Sequence, residues 1–587
     1  MLKLDIRIME EKSVSYHRLE NIEDVEEFYS AIQRSHLTKS LSPERPYTYW
    51  TIELYDQDNG IRGGGGLGVL AADTRRVAEQ LNIPLVLVTP FYPSEPHQIF
   101  ENSTSSDVHV PVDYSNFGFN LIDTVNIRCC GELCHLDVIE KRFNSTRILC
   151  VTEPNFGELY SGTSNSDHRL YQEVALGFGG YQALKMVGLR PAIIQLNEVA
   201  TFFAALARLD ELASNGMDFY EAVVYTRKHT LYTNHTLVQA AEANFNYSQF
   251  ERYVFPNLKS PAVKKWLSDK FINGEIRLSS VTIEIAELRS GVSRLHARVA
   301  NYHDIAGERV KFTPVTNGID LEKWTSPKIL SFYKESGILD KFDLPTQTFS
   351  EKIEENLVSE KIREFKLEGR KILNEILKNY KNQYGKVVEI PEDALLFDFK
   401  RRFVDYKRPW LPFSDLEKLK ELLKSNNAYY ILTGRVHSGD DRMLTRLYEL
   451  LEKVGKDDFL RDRVHYLPDY DEKLAFGLSV GSNISINVPI VGLEACGTSW
   501  MKDVANLCLL ISTHDGGVAD CPPDSYLNVS GETEEKEIES LYFRMEEALT
   551  AFRNDFDLEF LLKKELSSYL PVISGTRMLK DYLNYLF

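Results

Sequence analysis

Cysteine is scarce in this chain, with seven in 587 residues, an odd number. So sparse and uneven a supply excludes a disulfide framework. Positive charge is also in short supply. Lys and Arg number 68 against 86 Asp and Glu, and the resulting net charge of −18 opposes binding to a phosphate backbone, which excludes nucleic acid as a partner. Long apolar runs are missing too. None reaches the ~18 residues a membrane span needs, and the opening Met1-Leu2-Lys3-Leu4-Asp5-Ile6-Arg7 has no apolar signal region. These absences predict a cytoplasmic protein with no membrane partner. Internal repeats and low-complexity tracts are absent as well. What is present is ordinary globular material, 43% hydrophobic with 33 Gly and 22 Pro, long enough for two large domains or about three to four typical ones.

Four of the cysteines cluster as Cys129, Cys130, Cys134 and Cys150, with His135 beside them. Their spacing does not supply two clean pairs of zinc ligands. They read as reduced, buried thiols, and no metal site is expected.

Apolar runs alternate with helical patterns through the first half. Ile83–Thr89 predicts a buried strand after a helix over Ala71–Leu81, and Pro191–Leu196 another strand before a helix over Thr201–Leu212. Ala222–Thr226 reads as a further strand. The segment 328–385 turns rich in Lys, Glu, Leu and Ile at helical spacing, and its charges read as a solvated face. Strand-like runs then resume at Ala394–Phe399, Ala428–Thr433, Arg463–Leu467, Ile484–Ile486 and Leu507–Ile511, and Arg577–Phe587 closes the chain as an amphipathic helix. The class is α/β, with two doubly wound Rossmann-like domains facing a cleft. The expected boundaries are 1–320, 321–575 opening with the helical segment, and a terminal helix over 576–587 that packs back on the first domain.

Five motifs carry chemistry. Gly63-Gly64-Gly65-Gly66-Leu67-Gly68 precedes a helix expected to begin near Val69; its glycines let backbone N–H groups approach an anion, although it lacks the P-loop pattern. Arg401-Arg402-Phe403-Val404-Asp405-Tyr406-Lys407-Arg408 sets four cations at a strand end of an acidic protein, a phosphate-binding arrangement or a solvated basic turn. Thr233-Asn234-His235-Thr236 and Thr316-Asn317-Gly318-Ile319 place amides and an imidazole in polar turns, suited to sugar hydroxyls or to turn structure alone. Glu494-Ala495-Cys496-Gly497-Thr498-Ser499-Trp500-Met501-Lys502 puts a lysine just after small residues that can grip a phosphate. A desolvated lysine there loses its proton readily and forms a Schiff base, which suggests pyridoxal 5'-phosphate (PLP).

Together, from about Tyr49 to Phe587, these segments and Leu196-Asn197-Glu198 resemble the short form of the α-glucan (glycogen, starch, maltodextrin) phosphorylases, PLP-dependent retaining glycosyltransferases of GT-B architecture. The resemblance implies phosphorolysis of an α-1,4-glucan or maltooligosaccharide by inorganic phosphate to give glucose 1-phosphate, and, since dimers are frequent in that family, a homodimer. It implies that Lys502 holds PLP as an imine, that Arg401 and the backbone at Gly497, Thr498 and Ser499 hold its phosphate, and that Tyr470 lies beside it. Arg402, Lys407 and the loop Gly65-Gly66-Leu67 would hold the substrate phosphate, and His235, Asn317, Tyr406, Glu494 and Cys496 the glucosyl unit. The implied mechanism uses the cofactor's phosphate, rather than its imine, to assist proton transfer between inorganic phosphate and the glycosidic oxygen.

The chain departs from the family at Val199-Ala200-Thr201, where Gly-His-Ser is usual, and at Cys496, Trp500 and Arg435. Those departures keep two alternatives in view. One is a nucleotide-sugar-dependent glucan synthase of the same fold, which has no use for Lys502. The other is a catalytically weakened glucan-binding or regulatory homologue.

Overall fold

The computed structural model describes residues 41–101, 104–159, 166–236, 243–300, 307–436 and 440–585. The expectations for residues 1–7 and for the last two residues of the terminal helix lie outside this range. Two sheets organise the described chain. The first has nine strands, in the order Thr313–Pro314, Leu288–Gly291, Thr230–Asn234, Ile193–Asn197, Tyr47–Trp50, Leu85–Pro90, Thr146–Thr152, Glu132–Arg142, Asn120–Cys129. All pairings are parallel up to Thr146–Thr152, and the last two strands join as antiparallel edges. The second has six parallel strands, in the order Val464–Leu467, Ala428–Thr433, Leu395–Lys400, Ile484–Asn487, Leu509–Thr513, Leu527–Val529.

Parallel strands are covered by helices on both faces, so their sequences are continuously apolar. Leu85–Pro90 and Leu509–Thr513 are buried at every position. In each sheet the chain starts centrally, winds to one side, then returns to build the other. The order reverses between Tyr47–Trp50 and Ile193–Asn197 in the first sheet, and between Leu395–Lys400 and Ile484–Asn487 in the second. Such reversals open a crevice at the carboxyl ends of the strands.

The segment Ala222–Thr226 is a helix rather than the expected strand: Phe219–Lys228, capped by Asp218, whose side chain accepts from Tyr220 N and Glu221 N. Ala222 and Thr226 are its buried residues, one helical turn apart, so the short apolar run was one face of a helix. The strand that belongs to the sheet follows at Thr230–Asn234. The helix after the glycine loop starts at Gly66, three residues before Val69.

Within 328–385 lie the helices Pro327–Glu335, Phe349–Asn356 and Ser359–Leu377. The final helix, Gly575–Tyr585, contacts the glycine-loop helix Gly66–Gln80, and its Met578, Leu579, Tyr582 and Leu583 join a core with Tyr47, Tyr49 and Leu70. A hairpin, Ser94–Glu101 with Thr104–Pro111, reaches the second sheet, where Gln98 Nε2 donates to Val436 O at 3.2 Å and Arg435 donates to Pro96 O at 3.1 Å. All seven cysteines are free thiols, and among the described residues no helix is long and apolar enough to cross a membrane.

Candidate active site

The site forms where the carboxyl ends of strands from both sheets meet. Lys502 lies in the helix Ser499–Ala505, 3% exposed, with its amine 3.2 Å from the centroid of the Trp324 ring. Burial pulls its proton affinity down to about 8, against the opposing pull of the Asp73 and Glu472 carboxylates. Trp324 is itself fixed, since its indole Nε1 donates to both oxygens of Asp73, at 2.9 and 3.0 Å. The lysine therefore stands as a desolvated amine on an aromatic floor.

Arg401 follows the central strand of the second sheet and is 6% exposed. Its Nη1 donates to Asn487 Oδ1 at the neighbouring strand end, and its Nη2 is buried with no partner among the described residues. A buried guanidinium nitrogen without an acceptor suits an anion's oxygen. Lys407 pairs with Glu494 at 2.7 Å and lies 5.2 Å from the Tyr406 ring centroid. Burial alone would raise the Glu494 carboxyl, but Lys407 and Arg401 overcome it and hold the group below its ordinary value. Gly497 is packed close to Glu494 and Arg401, and a Cβ on it would come within 3.2 Å of Glu494 Oε1.

The glycine loop meets this cation group across the gap. A Cβ on Gly65 would sit 3.3 Å from Arg402 Cζ, so the bare backbone is what lets the guanidinium approach. Gly66 faces open space. Leu67 is partly buried, with its side chain packed against the core. The loop N–H groups have an acceptor that the sequence did not flag: Glu53 Oε2 accepts from Gly65 N and from Gly68 N. A carboxylate thus occupies the anion-binding end of the helix.

The sugar-type turns converge on the same place. His235 is a neutral imidazole at neutral pH, because burial lowers its affinity for a second proton to about 3 and His296 adds to the effect. Asn197 uses Nδ2 to donate to Trp50 O at 2.9 Å, which turns its Oδ1 toward His235 Nε2, also at 2.9 Å. Nε2 must then hold the single imidazole proton, leaving Nδ1 as an acceptor. Glu198 was not singled out for a role, yet its carboxylate accepts from His235 N, Thr236 Oγ1 and Asn234 Nδ2, at 2.8, 2.8 and 3.4 Å. Its backbone has φ +67°, ψ 162°, a costly conformation for a residue with a side chain. Asn317 Nδ2 donates to Cys496 O at 3.1 Å and Ser293 Oγ to Ala495 O at 2.8 Å, so residues in the turns after two strands of the first sheet hold the segment that leads to the lysine.

Other expected residues lie nearby in different surroundings. Thr498 occupies the helix N-cap position without a side-chain cap bond. Tyr470 is partly buried against the core of the second sheet, and burial holds its hydroxyl proton against the opposing pull of Lys400. Cys496 is 8% exposed and its thiol is pushed up by burial. Trp500 points away, edge-on to Tyr569 at 4.9 Å, as a core residue. Ala200 lies in the short turn Val199–Thr201. Behind Arg401, the buried Lys400 pairs with Asp398 at 2.5 Å and also with Asp503, whose other oxygen accepts from Ser485 Oγ at 2.7 Å.

Comparison with known proteins follows the same lines. The family described as carbohydrate phosphorylase matches residues 189–521, a span that includes His235, Asn317, Arg401, Arg402, Lys407, Glu494 and Lys502. The chain is 26% identical to maltodextrin phosphorylase of Thermococcus litoralis over 92% of its own length and 70% of that protein's. It is 24% identical to glycogen phosphorylase of Aquifex aeolicus, over 98% and 91% of the two lengths. It is also 26% identical to glycogen phosphorylase of Mycobacterium bovis, over 80% and 60%.

Proposed function

Because the chain belongs to the carbohydrate phosphorylase family, we propose that it cleaves α-1,4-glucans with inorganic phosphate, releasing glucose 1-phosphate with retained configuration. The observation that carries this reading is Arg402 packed against Gly65 of the glycine loop, with Arg401 and Lys407 beside Glu494 and a desolvated amine at Lys502, in a protein of net charge −18. Clustered cations at such a site call for anions.

PLP fits the residues present. Lys502 offers a desolvated amine, and Arg401 a buried Nη2 in need of an acceptor. When bound, the cofactor supplies a phosphate that assists proton transfer to and from the substrate phosphate. Arg401 and the backbone of Gly497, Thr498 and Ser499 would hold that phosphate, with Tyr470 near the cofactor. Arg402, Lys407 and the amides of Gly65 to Leu67 hold inorganic phosphate, which requires the Glu53 carboxylate to give up the loop. Neutral His235, with an acceptor at Nδ1, and Asn317, with a buried Oδ1, orient glucosyl hydroxyls beside Tyr406, Glu494 and Cys496. The bond from the sugar C1 to the glycosidic oxygen breaks, that oxygen takes a proton from phosphate, and a phosphate oxygen bonds C1. Preorganised cations stabilise the adjacent negative charges throughout. The two sheets then correspond to the two halves of a GT-B enzyme, with residues 1–320 and 321–575 on either side of the cleft and 576–587 returning to the first half.

The test is the absorbance spectrum of the purified protein before and after borohydride reduction, with peptide mapping, followed by a phosphate-dependent assay on maltodextrins. An adduct on Lys502 and release of glucose 1-phosphate are expected. A protein that refuses PLP would overturn the reading. One that keeps PLP without turnover would point to the weakened homologue.

A further inference from the structure

The last helix does more than fill a groove. The Arg577 side chain is 6% exposed and spends its guanidinium on the backbone of another segment. Nη1 donates to Thr316 O at 2.7 Å, and Nη2 donates to Asn317 O at 2.9 Å and to Val572 O. Nη1 also pairs with Asp581 at 3.0 Å. The neighbouring backbone is stitched to the same stretch: Ile319 N donates to Ile573 O and Gly575 N donates to Ile319 O, both at 2.8 Å. Gly318 N faces Met578 Sδ at 3.2 Å, and a Cβ on Gly318 would overlap the Ser574 carbonyl. Four successive residues, Thr316 to Ile319, are thereby held from the chain's far end.

Two of those contacts have a directional consequence. A planar guanidinium bridging the carbonyls of Thr316 and Asn317 fixes the two successive peptide planes that flank the Asn317 Cα, and so the direction of its side chain. That side chain has one amide hydrogen bond, to Cys496 O, and a buried Oδ1 with no partner among the described residues. An acceptor held open in this way suits a sugar hydroxyl. We propose that Arg577 is a positioning residue for glucosyl recognition, acting from the C-terminal helix by aiming Asn317 into the site. This inference rests on the phosphorylase reading above.

A lysine at position 577 would keep the charge but cannot span two adjacent carbonyls from a single point. The experiment is therefore a double-variant cycle on the PLP-loaded enzyme, with Arg577→Lys, Asn317→Ala and the pair. It measures kcat and KM for glucose 1-phosphate in the synthesis direction, KM for inorganic phosphate in the phosphorolysis direction, and Tm. Arg577→Lys should raise the KM for glucose 1-phosphate about tenfold and leave the KM for inorganic phosphate within about twofold. In the Asn317→Ala background the same change should add less than about twofold, since the two residues act as one unit. A purely structural arginine would lower Tm while leaving KM unmoved, or would give effects that multiply in the double variant; either result overturns the inference. If the wild-type enzyme fails to turn over at all, the functional reading falls and takes the inference with it. If the wild type is active and the cycle is flat, the inference alone falls.

Discussion

The most exposed quantitative consequence of the site is the proton on Lys502. An ordinary lysine holds its proton to 10.5, whereas burial brings this one down to about 8. Covalent capture of an aldehyde needs the neutral amine, so the rate of PLP uptake by cofactor-free enzyme should follow the deprotonated fraction. Between about pH 7 and pH 9 that fraction climbs from roughly a tenth to roughly nine-tenths, a tenfold rise that then levels off. A solvated lysine would instead gain about a hundredfold over the same interval and keep climbing. The assay follows absorbance after mixing with excess PLP from about pH 6.5 to pH 10, above the second phosphate ionisation near ~6, with borohydride trapping to confirm the attachment point and Lys502→Ala as the blank. A hundredfold rise without a plateau would mean that water reaches the amine and would refute the desolvation argument. The stability of the cofactor-free protein carries the same signature. Between about 8 and 10.5 the unfolded chain binds the extra proton, so stability attributable to this group grows as pH rises through that window, by up to about 3 kcal/mol.

Three further outcomes follow from contacts described above. Lys400→Met removes the cation between two buried carboxylates, Asp398 and Asp503, and should cost about 3–5 kcal/mol in urea unfolding; an unchanged midpoint would refute the argument that the pair depends on that cation. Arg402→Ala should retain PLP absorbance while phosphate-dependent turnover falls at least a hundredfold, and normal turnover would remove Arg402 from the mechanism. Gly434 has φ +146°, and a Cβ there would overlap the Arg401 carbonyl, so Gly434→Ala should lower stability by more than about 2 kcal/mol and disturb the cation turn beside it, read by Tm and by PLP retention.

Much of the fold was legible because parallel strands buried on both faces announce themselves as apolar runs, as at Leu85–Pro90 and Leu509–Thr513. The failure at Ala222–Thr226 has the complementary cause. Five residues are too few to separate a period of 2 from 3.6, and the Asp218 cap that settles the matter lies outside the apolar run. The cation turn and the lysine segment were legible because their residue types are costly without a purpose. Glu53 was not, since its role comes from a strand end meeting a loop twelve residues on. Glu198 was noticed as part of a motif, but its three donors come from a neighbouring strand end, which no reading of local sequence supplies. The Asp398–Lys400–Asp503 group was hidden for a similar reason: its third member sits 103 positions from the lysine.

The return of the last helix to the Thr316 turn also places a condition on how the enzyme is made. Arg577 and Thr316 are 261 positions apart. At about 5–20 residues per second, a ribosome needs roughly 13 to 52 s to bridge that interval. Throughout it the first sheet has every one of its strands in hand, while the turn that bears Asn317 waits for its clamp. A chain that lacks Arg577 keeps the residues of both sheets and leaves the Thr316–Asn317 carbonyls without that clamp. The turn that bears Asn317 is therefore complete only once the helix Gly575–Tyr585 has been made.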